Sequence, residues 1–254
     1  MRNLTAMNPV YSTYRFLWAA LDWLYPPTCA GCEKSGARWC TACQLSVQKP
    51  GPSVCPICGI PQNHPNTCAT CLAAQPVYTA CRSWGVYRGA LREAVHSLKF
   101  RQNLALGDSL AVHLVELYRQ ENWNVDCIIP IPMDLKKLQE RGYNHTNLLA
   151  RPVAMAVGKP MKTHMLRRNR PTRSQVGLNA IQRAENMQGA FVADRQQVEG
   201  KSVMVVDDVK TTGSTLSAAA AALFEAGAVS VYGLTLAIAV LQSDDMGKSE
   251  LLQY

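Results

Sequence analysis

The chain has 254 residues, of which 48% are hydrophobic and 17% are charged. This composition excludes a disordered or collagen-like chain and is typical of a globular protein with roughly two domains. No apolar run is long enough to cross a membrane, so we expect no transmembrane segment and a cytoplasmic location. The formal net charge of +8 favours an acidic partner.

The N-terminal part contains one apolar stretch, at residues 16–24. Trp18 and Leu21 recur in it at helical spacing, which predicts a short amphipathic helix. The stretch lacks the cleavage site of a secretory signal. We expect the helix to pack against the segment that follows, with binding to a membrane surface or a partner as the alternatives. Residues 1–27 are therefore assigned to an N-terminal amphipathic segment, and the polar residues 242–254 to a flexible tail.

Cysteine spacing dominates the next segment, residues 28–77. Eight of the ten cysteines form C-x-x-C pairs, and each pair places two sulfurs on one side of a tight turn, as a tetrahedral ion needs. The pairs are Cys29/Cys32, Cys40/Cys43, Cys55/Cys58 and Cys68/Cys71. They predict two four-cysteine zinc sites, built from either consecutive or interleaved pairs. Disulfides are the alternative, but because nothing indicates export we expect reduced thiols.

The zinc ions are expected to be structural. A catalytic zinc keeps an open position, whereas four thiolates close the coordination sphere. Residues 28–77 are rich in Pro, Gly and Cys and lack long apolar runs. Metal binding must therefore supply their folding free energy, about 10 kcal/mol per site. Cys81 and Cys127 fall outside the pattern and are predicted to be buried thiols.

Residues 78–241 alternate between predicted strands and predicted helices. Strands are expected at 80–87, 126–132, 190–192, 202–206 and 230–239, and helices at 90–100, 104–120, 145–157, 178–187 and 216–226. The alternation predicts an α/β domain with a parallel sheet flanked by helices. In such a sheet, ligands bind at the carboxyl ends of the strands.

One of these strand ends carries the most informative motif. The apolar run 203–206 is followed by Asp207 and Asp208, then by a hydroxyl-rich turn around Gly213 and an alanine-rich helix. Amides and hydroxyls at the start of a helix bind a phosphate dianion. Two carboxylates suit the hydroxyls of a sugar, or a magnesium ion held between a sugar and a pyrophosphate. A phosphorylated ribose offers both kinds of group.

This segment resembles the signature of the type I phosphoribosyltransferases, which bind phosphoribosyl pyrophosphate (PRPP). The resemblance implies that the acid pair contacts the ribose hydroxyls during catalysis, that the loop holds the 5′-phosphate, and that magnesium accompanies PRPP. The residues concerned are Asp207, Asp208, Val209, Lys210, Thr211, Thr212, Gly213, Ser214 and Thr215. Lys210 departs from the pattern, where an apolar or small residue is usual, and would either point to solvent or add charge near the phosphates.

Further motifs extend the resemblance over residues 15–240. They are Leu98-Lys99-Phe100, Pro130-Ile131-Pro132, Lys136 and Arg141-Gly142-Tyr143-Asn144. Together with the cysteine module, they are similar to the ComF/GntX family, although His145 stands where that family commonly has Gln.

Two loops follow from the resemblance. In phosphoribosyltransferases the loop after the first core strand grips the pyrophosphate, which implies that role for residues 133–142, with Lys136 and Arg141. A mobile loop then closes over the reacting centre, which implies residues 167–183. The candidate contacts on closure are Arg173, Gln175 and Arg183. A polar, arginine-rich stretch between helices is also suited to a lid on physical grounds.

Basic residues dominate the segment from Lys136 to Arg183, which holds eleven of them and a single acid, Glu140. A pyrophosphate accounts for only part of this charge. The excess suits a longer polyanion such as nucleic acid, with a solvated charged surface as the alternative.

Members of the ComF/GntX family are associated with natural competence and with the use of DNA as a nutrient. The resemblance implies a PRPP-binding protein that handles single-stranded DNA in the cytoplasm or at the inner face of the membrane. A competence helicase or the membrane-associated DNA-uptake machinery would be its partner. The alternative is a genuine phosphoribosyltransferase of nucleotide or base salvage, which transfers ribose 5-phosphate from Mg-PRPP to a nitrogen acceptor and releases pyrophosphate. In a third interpretation the zinc module is a protein-docking element.

Overall fold

The computed structural model of the chain describes residues 26–170, 182 and 186–240. The predicted amphipathic helix, the tail and most of the helix expected at 178–187 lie outside the described residues. The same holds for the three candidate lid contacts, Arg173, Gln175 and Arg183.

Six strands and eight helices lie wholly within the described part of the chain. The strands are β1 (Ala80–Val86), β2 (Cys127–Pro130), β3 (Leu166–Arg168), β4 (Phe191–Ala193), β5 (Ser202–Lys210) and β6 (Ser230–Ile238). The helices are α1 (Thr41–Ser46), α2 (Ala69–Ala73), α3 (Gly89–Phe100), α4 (Leu106–Gln120), α5 (Leu135–Arg141), α6 (His145–Val157), α7 (Arg195–Val198) and α8 (Ser214–Glu225). Among these described helices, none combines the length and the apolar character that crossing a membrane requires.

Four strands form one parallel sheet in the order β1-β6-β5-β2. Residues 203–206 of β5 are completely buried because helices cover both faces of the sheet. Met204 and Val206 belong to a core that includes α3, α4 and α6, while Val203 and Val205 belong to a second core that includes α8. The prediction of a parallel sheet flanked by helices is confirmed.

The strand that carries the motif is longer than predicted. β5 continues through the two aspartates to Lys210 and pairs with β6 as far as the Lys210–Ile238 register. Side chains along 207–210 alternate between half-buried and buried, as they do in a strand. The acid pair therefore lies within the sheet, not in a turn after it, and its backbone is held by strand pairing.

Two further elements correct the sequence-based predictions. Helix α5 forms within the expected pyrophosphate loop, because Asp134 caps its first turn and Gly142 ends it with a φ of +77°. The strand expected near 190 does not join the parallel sheet: β4 pairs antiparallel with β3 in a separate two-stranded sheet. Arg167 and Arg168, which were expected in the mobile loop, belong to β3.

The cysteine-rich module packs on both faces of the parallel sheet. Cys29 and Cys43 join the core of α3 and α4, whereas all four cysteines of the second half join the core of α8. The amide of Cys81 in β1 donates to the carbonyl of Ile57 at 2.7 Å, which ties the module to the edge strand. Cys81 and Cys127 are buried thiols, as predicted. The domain boundary near residue 78 stays a prediction, but the cores are continuous across it.

Candidate functional site

The four C-x-x-C pairs converge as two clusters of consecutive pairs. They are Cys29/Cys32/Cys40/Cys43 and Cys55/Cys58/Cys68/Cys71, and within each cluster the sulfurs lie within 4.8 Å of one another. Two of the Sγ–Sγ distances are 3.8 Å (Cys32–Cys40) and 3.6 Å (Cys58–Cys68). A tetrahedron with Zn–S bonds of about 2.3 Å separates its sulfurs by about 3.8 Å. The geometry fits zinc, and the interleaved pairing is excluded.

Backbone amides favour the thiolate form of one sulfur in each cluster, whereas burial raises the pKa of Cys43, Cys58 and Cys71 while no metal is bound. The amides of Gly31 and Cys40 each donate to Cys29 Sγ at 3.4 Å. Burial would raise the pKa of Cys29, but the amide donors outweigh it and lower that pKa to about 6. In the second cluster burial also opposes the shift, and amide donors lower the pKa of Cys55 to about 6. Because the thiolate is the form that binds zinc, these are two closed zinc-ribbon sites with a structural role.

Residues 211–215, here called the phosphate loop, connect β5 to α8. Gly213 is the N-cap of α8 with a φ of +81°, a conformation that favours glycine. Thr212 Oγ1 lies 2.7 Å from Ser214 Oγ and accepts the Ser214 amide at 3.3 Å. The first amides of α8 have no carbonyl partners within the helix. With the loop hydroxyls, they form a site of the kind that binds a phosphate dianion.

Beside this loop, the Asp208 carboxylate is held by side chains from two helices. Its Oδ2 atom lies 2.6 Å from Lys99 Nζ and 3.5 Å from His145 Nε2. Lys99 belongs to the last turn of α3, and His145 is the first residue of α6. Asp207 Oδ1 instead accepts the Asp208 amide at 2.9 Å. The two aspartates thus have different surroundings, and Asp208 is the one committed to an ion pair.

The pKa values of the two carboxyls move in opposite directions. Burial, and next the Asp208 carboxylate, raises the pKa of Asp207 to about 8. Burial would also raise the pKa of Asp208, but the Lys99 ammonium and the His145 side chain outweigh it and hold that pKa far below its usual range. Burial opposes charge on Lys99, yet the Asp208 carboxylate prevails and raises the lysine pKa. The site therefore holds one ion pair and, beside it, a carboxyl whose protonated form is favoured by burial and by the neighbouring negative charge.

The Arg141-Gly142-Tyr143-Asn144 motif supports this arrangement. Tyr143 donates its hydroxyl to the carbonyl of Leu98 at 2.8 Å, one residue before the lysine of the ion pair. Asn144 donates through Nδ2 to the carbonyl of Ile131 at 2.9 Å, and its side chain caps the first turn of α6. The motif therefore fixes the ends of β2, α3 and α6 relative to one another.

A cavity of about 300 Å³ opens in front of the acid pair, at the carboxyl edge of the sheet. The predicted PRPP-binding residues that line it are Asp207, Asp208, Val209, Lys210, Thr211, Gly213, Ser214, Thr215 and Arg141. Thr212 does not line the cavity but braces the loop through Ser214. Lys210 is 6% exposed, which excludes the alternative that it points to solvent.

Lys136, a predicted pyrophosphate contact, does not line the cavity. It lies on α5, and the lining includes the next residue, Lys137, and Arg141 one helical turn further on. Consecutive residues of a helix point in different directions, whereas residues four apart share a face. In a loop, Lys136 and Lys137 would be equally able to reach the ligand, so the sequence alone did not distinguish them.

The cavity also includes side chains to which the sequence assigned no ligand contact. Lys99 was visible only as part of the Leu98-Lys99-Phe100 motif, and Arg168 only as one of a run of arginines. Three aromatic side chains, Tyr87, His96 and Phe100, also line the cavity, and the ring centroids of His96 and Phe100 lie 4.7 Å apart. Phe100 is 57% exposed, and the Arg141 guanidinium lies 4.5 Å from its ring centroid.

The sheet, the phosphate loop and the acid pair define an α/β protein of the phosphoribosyltransferase type, joined to two zinc-ribbon sites of four cysteines each. A family model described as a double zinc ribbon domain matches residues 20–72. Among solved structures, a glutamine PRPP amidotransferase from B. subtilis is 26% identical to this chain. The match covers 55% of this chain and 26% of that chain, with a TM-score of 0.34. Because this TM-score is low, the fold is assigned from the sheet of this chain and not from that structure.

Curated relatives cover most of the chain. The DNA utilization protein YhgH of Salmonella typhi is 32% identical over 198 residues, which is 76% of this chain and 86% of that protein. The competence protein ComFC of Bacillus subtilis is 26% identical over 216 residues (80% and 85%). Competence protein F of Haemophilus influenzae is 28% identical over 215 residues (78% and 90%). The chain belongs to the ComF/GntX family.

Proposed function

We propose that this protein binds Mg-PRPP in the cavity at the carboxyl edge of the sheet and uses that site in handling single-stranded DNA in the cytoplasm. The observation that carries the proposal is that the phosphate loop and the acid pair line one cavity. A phosphate site and a pair of carboxyls are complementary to the two ends of a ribose 5-phosphate.

The placement of PRPP follows from the charges. The 5′-phosphate would lie in the phosphate loop, and the ribose hydroxyls would face the acid pair. The pyrophosphate, with its magnesium ion, would extend toward Lys137 and Arg141, since these are the cations that α5 presents to the cavity. Lys210 also lines the cavity next to Gly213 and would add positive charge on the phosphate side.

The DNA role is supported by charge and by the relatives. The net charge of +8 and the basic segment that begins at Lys136 favour a polyanion. Relatives over most of the chain are a DNA utilization protein and two competence proteins. A helicase or the DNA-uptake machinery at the inner face of the membrane would deliver the strand.

The alternative, a genuine phosphoribosyltransferase, is favoured by the aromatic side chains in the cavity lining. The rings of Tyr87, His96 and Phe100 would offer flat faces on which a planar nitrogen acceptor could stack. In the reaction, a nitrogen lone pair would form a bond to C1′ while the bond from C1′ to the pyrophosphate oxygen breaks. Pyrophosphate would leave with the electron pair and the magnesium ion, and the acceptor proton would pass to solvent. Asp207 and Asp208 would hold the ribose as positive charge develops on it.

Two assays on the full-length, zinc-loaded protein separate these functions. Fluorescence anisotropy with a labelled single-stranded oligonucleotide, with and without Mg-PRPP, tests the DNA role: affinity that falls steeply with salt and changes with Mg-PRPP supports it. Pyrophosphate release from Mg-PRPP in the presence of free bases tests transfer. Absence of oligonucleotide binding at low salt would reject the DNA role, and pyrophosphate release that depends on one base would establish the transferase.

A further inference from the structure

The acid pair already holds a cation that the protein itself supplies. The Lys99 ammonium lies 2.6 Å from Asp208 Oδ2, with the lysine side chain 22% and the aspartate side chain 6% exposed. This is closer than the 3.5 Å between the same oxygen and His145 Nε2. Lys99 reaches the carboxylate from α3, which the Tyr143–Leu98 hydrogen bond holds in place. The ion pair is therefore a built feature of the site and not a flexible surface contact.

Without the lysine, the same side chains would form a donor set for a divalent cation. One ligand atom each from His145, Asp207 and Asp208 lie within 4.8 Å of one another. Carboxylate oxygens with an imidazole nitrogen suit Mn²⁺ and related ions. A metal ion on Asp208 would lie within a few ångströms of the ammonium, and two positive charges at such a distance in a partly buried site repel strongly.

We propose that Lys99 is the resident cation of the acid pair. It occupies the place of a divalent ion at Asp208, keeps metal off the two aspartates, and leaves Asp207 as the carboxyl that receives the ribose hydroxyls. Any magnesium then enters only with the pyrophosphate of the substrate. The part of this inference that concerns ribose rests on the proposed function, whereas the exclusion of metal by Lys99 does not.

The test measures Mn²⁺ binding without PRPP, by electron paramagnetic resonance of the zinc-loaded protein. Replacing Lys99 by Met should create one Mn²⁺ site, with affinity at least about tenfold above that of the wild type, equivalent to about 1.4 kcal/mol. The double variant Lys99→Met/Asp208→Asn should lose the site again. Lys99→Arg keeps the charge and should not create it, and Lys137→Met is the matched control from the same cavity. No gain in Lys99→Met, or an equal gain in Lys137→Met, would overturn the proposal.

The wild type provides a second measurement if Lys99→Met does not fold. The proposal requires that the wild type has no Mn²⁺ site that depends on Asp207 or Asp208 when PRPP is absent. A wild-type Mn²⁺ site that disappears in Asp207→Asn would contradict the role of Lys99. A failure of Mg-PRPP to bind would instead reject the proposed function, and the Mn²⁺ result would still stand.

Discussion

Tyr78 packs its hydroxyl against Gly213, the residue at which the phosphate loop turns into α8. A Cβ atom at Gly213 would lie 3.2 Å from the tyrosine oxygen and 3.5 Å from Lys210 Cε. Tyr78 is 2% exposed and belongs to the same core as the four cysteines of the second cluster. One buried side chain thus lies between the second zinc site and the phosphate loop. None of the cysteines of the first zinc site belongs to this core.

This contact predicts that the two zinc sites affect PRPP binding unequally. Cys58→Ser and Cys32→Ser each remove one sulfur ligand and should each lower the zinc content, measured by a chromogenic chelator. Only Cys58→Ser should weaken Mg-PRPP binding, by about tenfold or more, because its cluster shares a core with Tyr78 and the loop. Isothermal titration of both variants checks this. Equal losses of affinity in the two variants would show that the contact does not matter.

Gly213→Ala should damage the site locally. The φ of +81° is unfavourable for alanine by about 1–2 kcal/mol, and the new methyl group would press on Tyr78. The matched control is Gly158→Ala, where φ is +68° but no atom lies within 4 Å of the new Cβ. Both variants should lose a similar amount of thermal stability from backbone strain, but only Gly213→Ala should lose Mg-PRPP binding. Binding that survives in Gly213→Ala would contradict the role of the loop.

Asp208→Asn should destabilise the protein even without a ligand, because it leaves the Lys99 ammonium without its partner. Breaking a buried pair in this way costs about 3 kcal/mol. The double variant Lys99→Met/Asp208→Asn should recover much of that loss in urea unfolding. Glu33→Gln is the control, since its ion pair with Arg101 is exposed at both ends and should contribute less than about 1 kcal/mol. An Asp208→Asn protein as stable as the wild type would refute the buried ion pair.

Asp207 should make stability fall as the pH rises. Its pKa moves from the ordinary 3.8 to about 8 in the folded protein, so the folded state keeps a proton that the unfolded chain has released. Folding stability from this group is therefore greatest below about pH 4, declines through the window up to pH 8, and is constant above it. Asp207→Asn should remove this decline. The check is the melting temperature from pH 6 to 9 of the wild type, of Asp207→Asn and of Glu140→Gln, the control at an exposed acid. If the curve of Asp207→Asn stays parallel to that of the wild type, the pKa of Asp207 is not raised.

Local patterns predicted the features that depend on neighbouring residues in the chain. The C-x-x-C spacing predicted two four-cysteine sites but not which pairs share a site, and apolar-rich runs predicted the strands of the parallel sheet. The order of acid pair, hydroxyl-rich turn and helix predicted the phosphate loop. Each C-x-x-C pair, each strand and the turn is determined within about ten residues, where periodicity and turn chemistry are informative.

The remaining features depend on residues far apart in the chain. Nothing near Asp208 indicates that Lys99 and His145 would meet its carboxylate, since those contacts arise only when α3 and α6 pack beside β5. The length of β5 depended on its pairing with β6, which offset the presence of charged side chains in the strand. Helix α5 depends on its two caps, Asp134 and Gly142, which make a helix of residues expected to form a substrate-binding loop.

The most direct test of the account is calorimetric titration of Mg-PRPP into the wild type and Asp207→Asn, with Glu140→Gln as the control. We expect one Mg-PRPP to bind per chain of the wild type and of Glu140→Gln. Asp207→Asn, which keeps the Lys99–Asp208 ion pair, should lose affinity by about tenfold or more. Absence of binding to the wild type, or equal binding to all three proteins, would contradict the assignment of this cavity to a ribose phosphate.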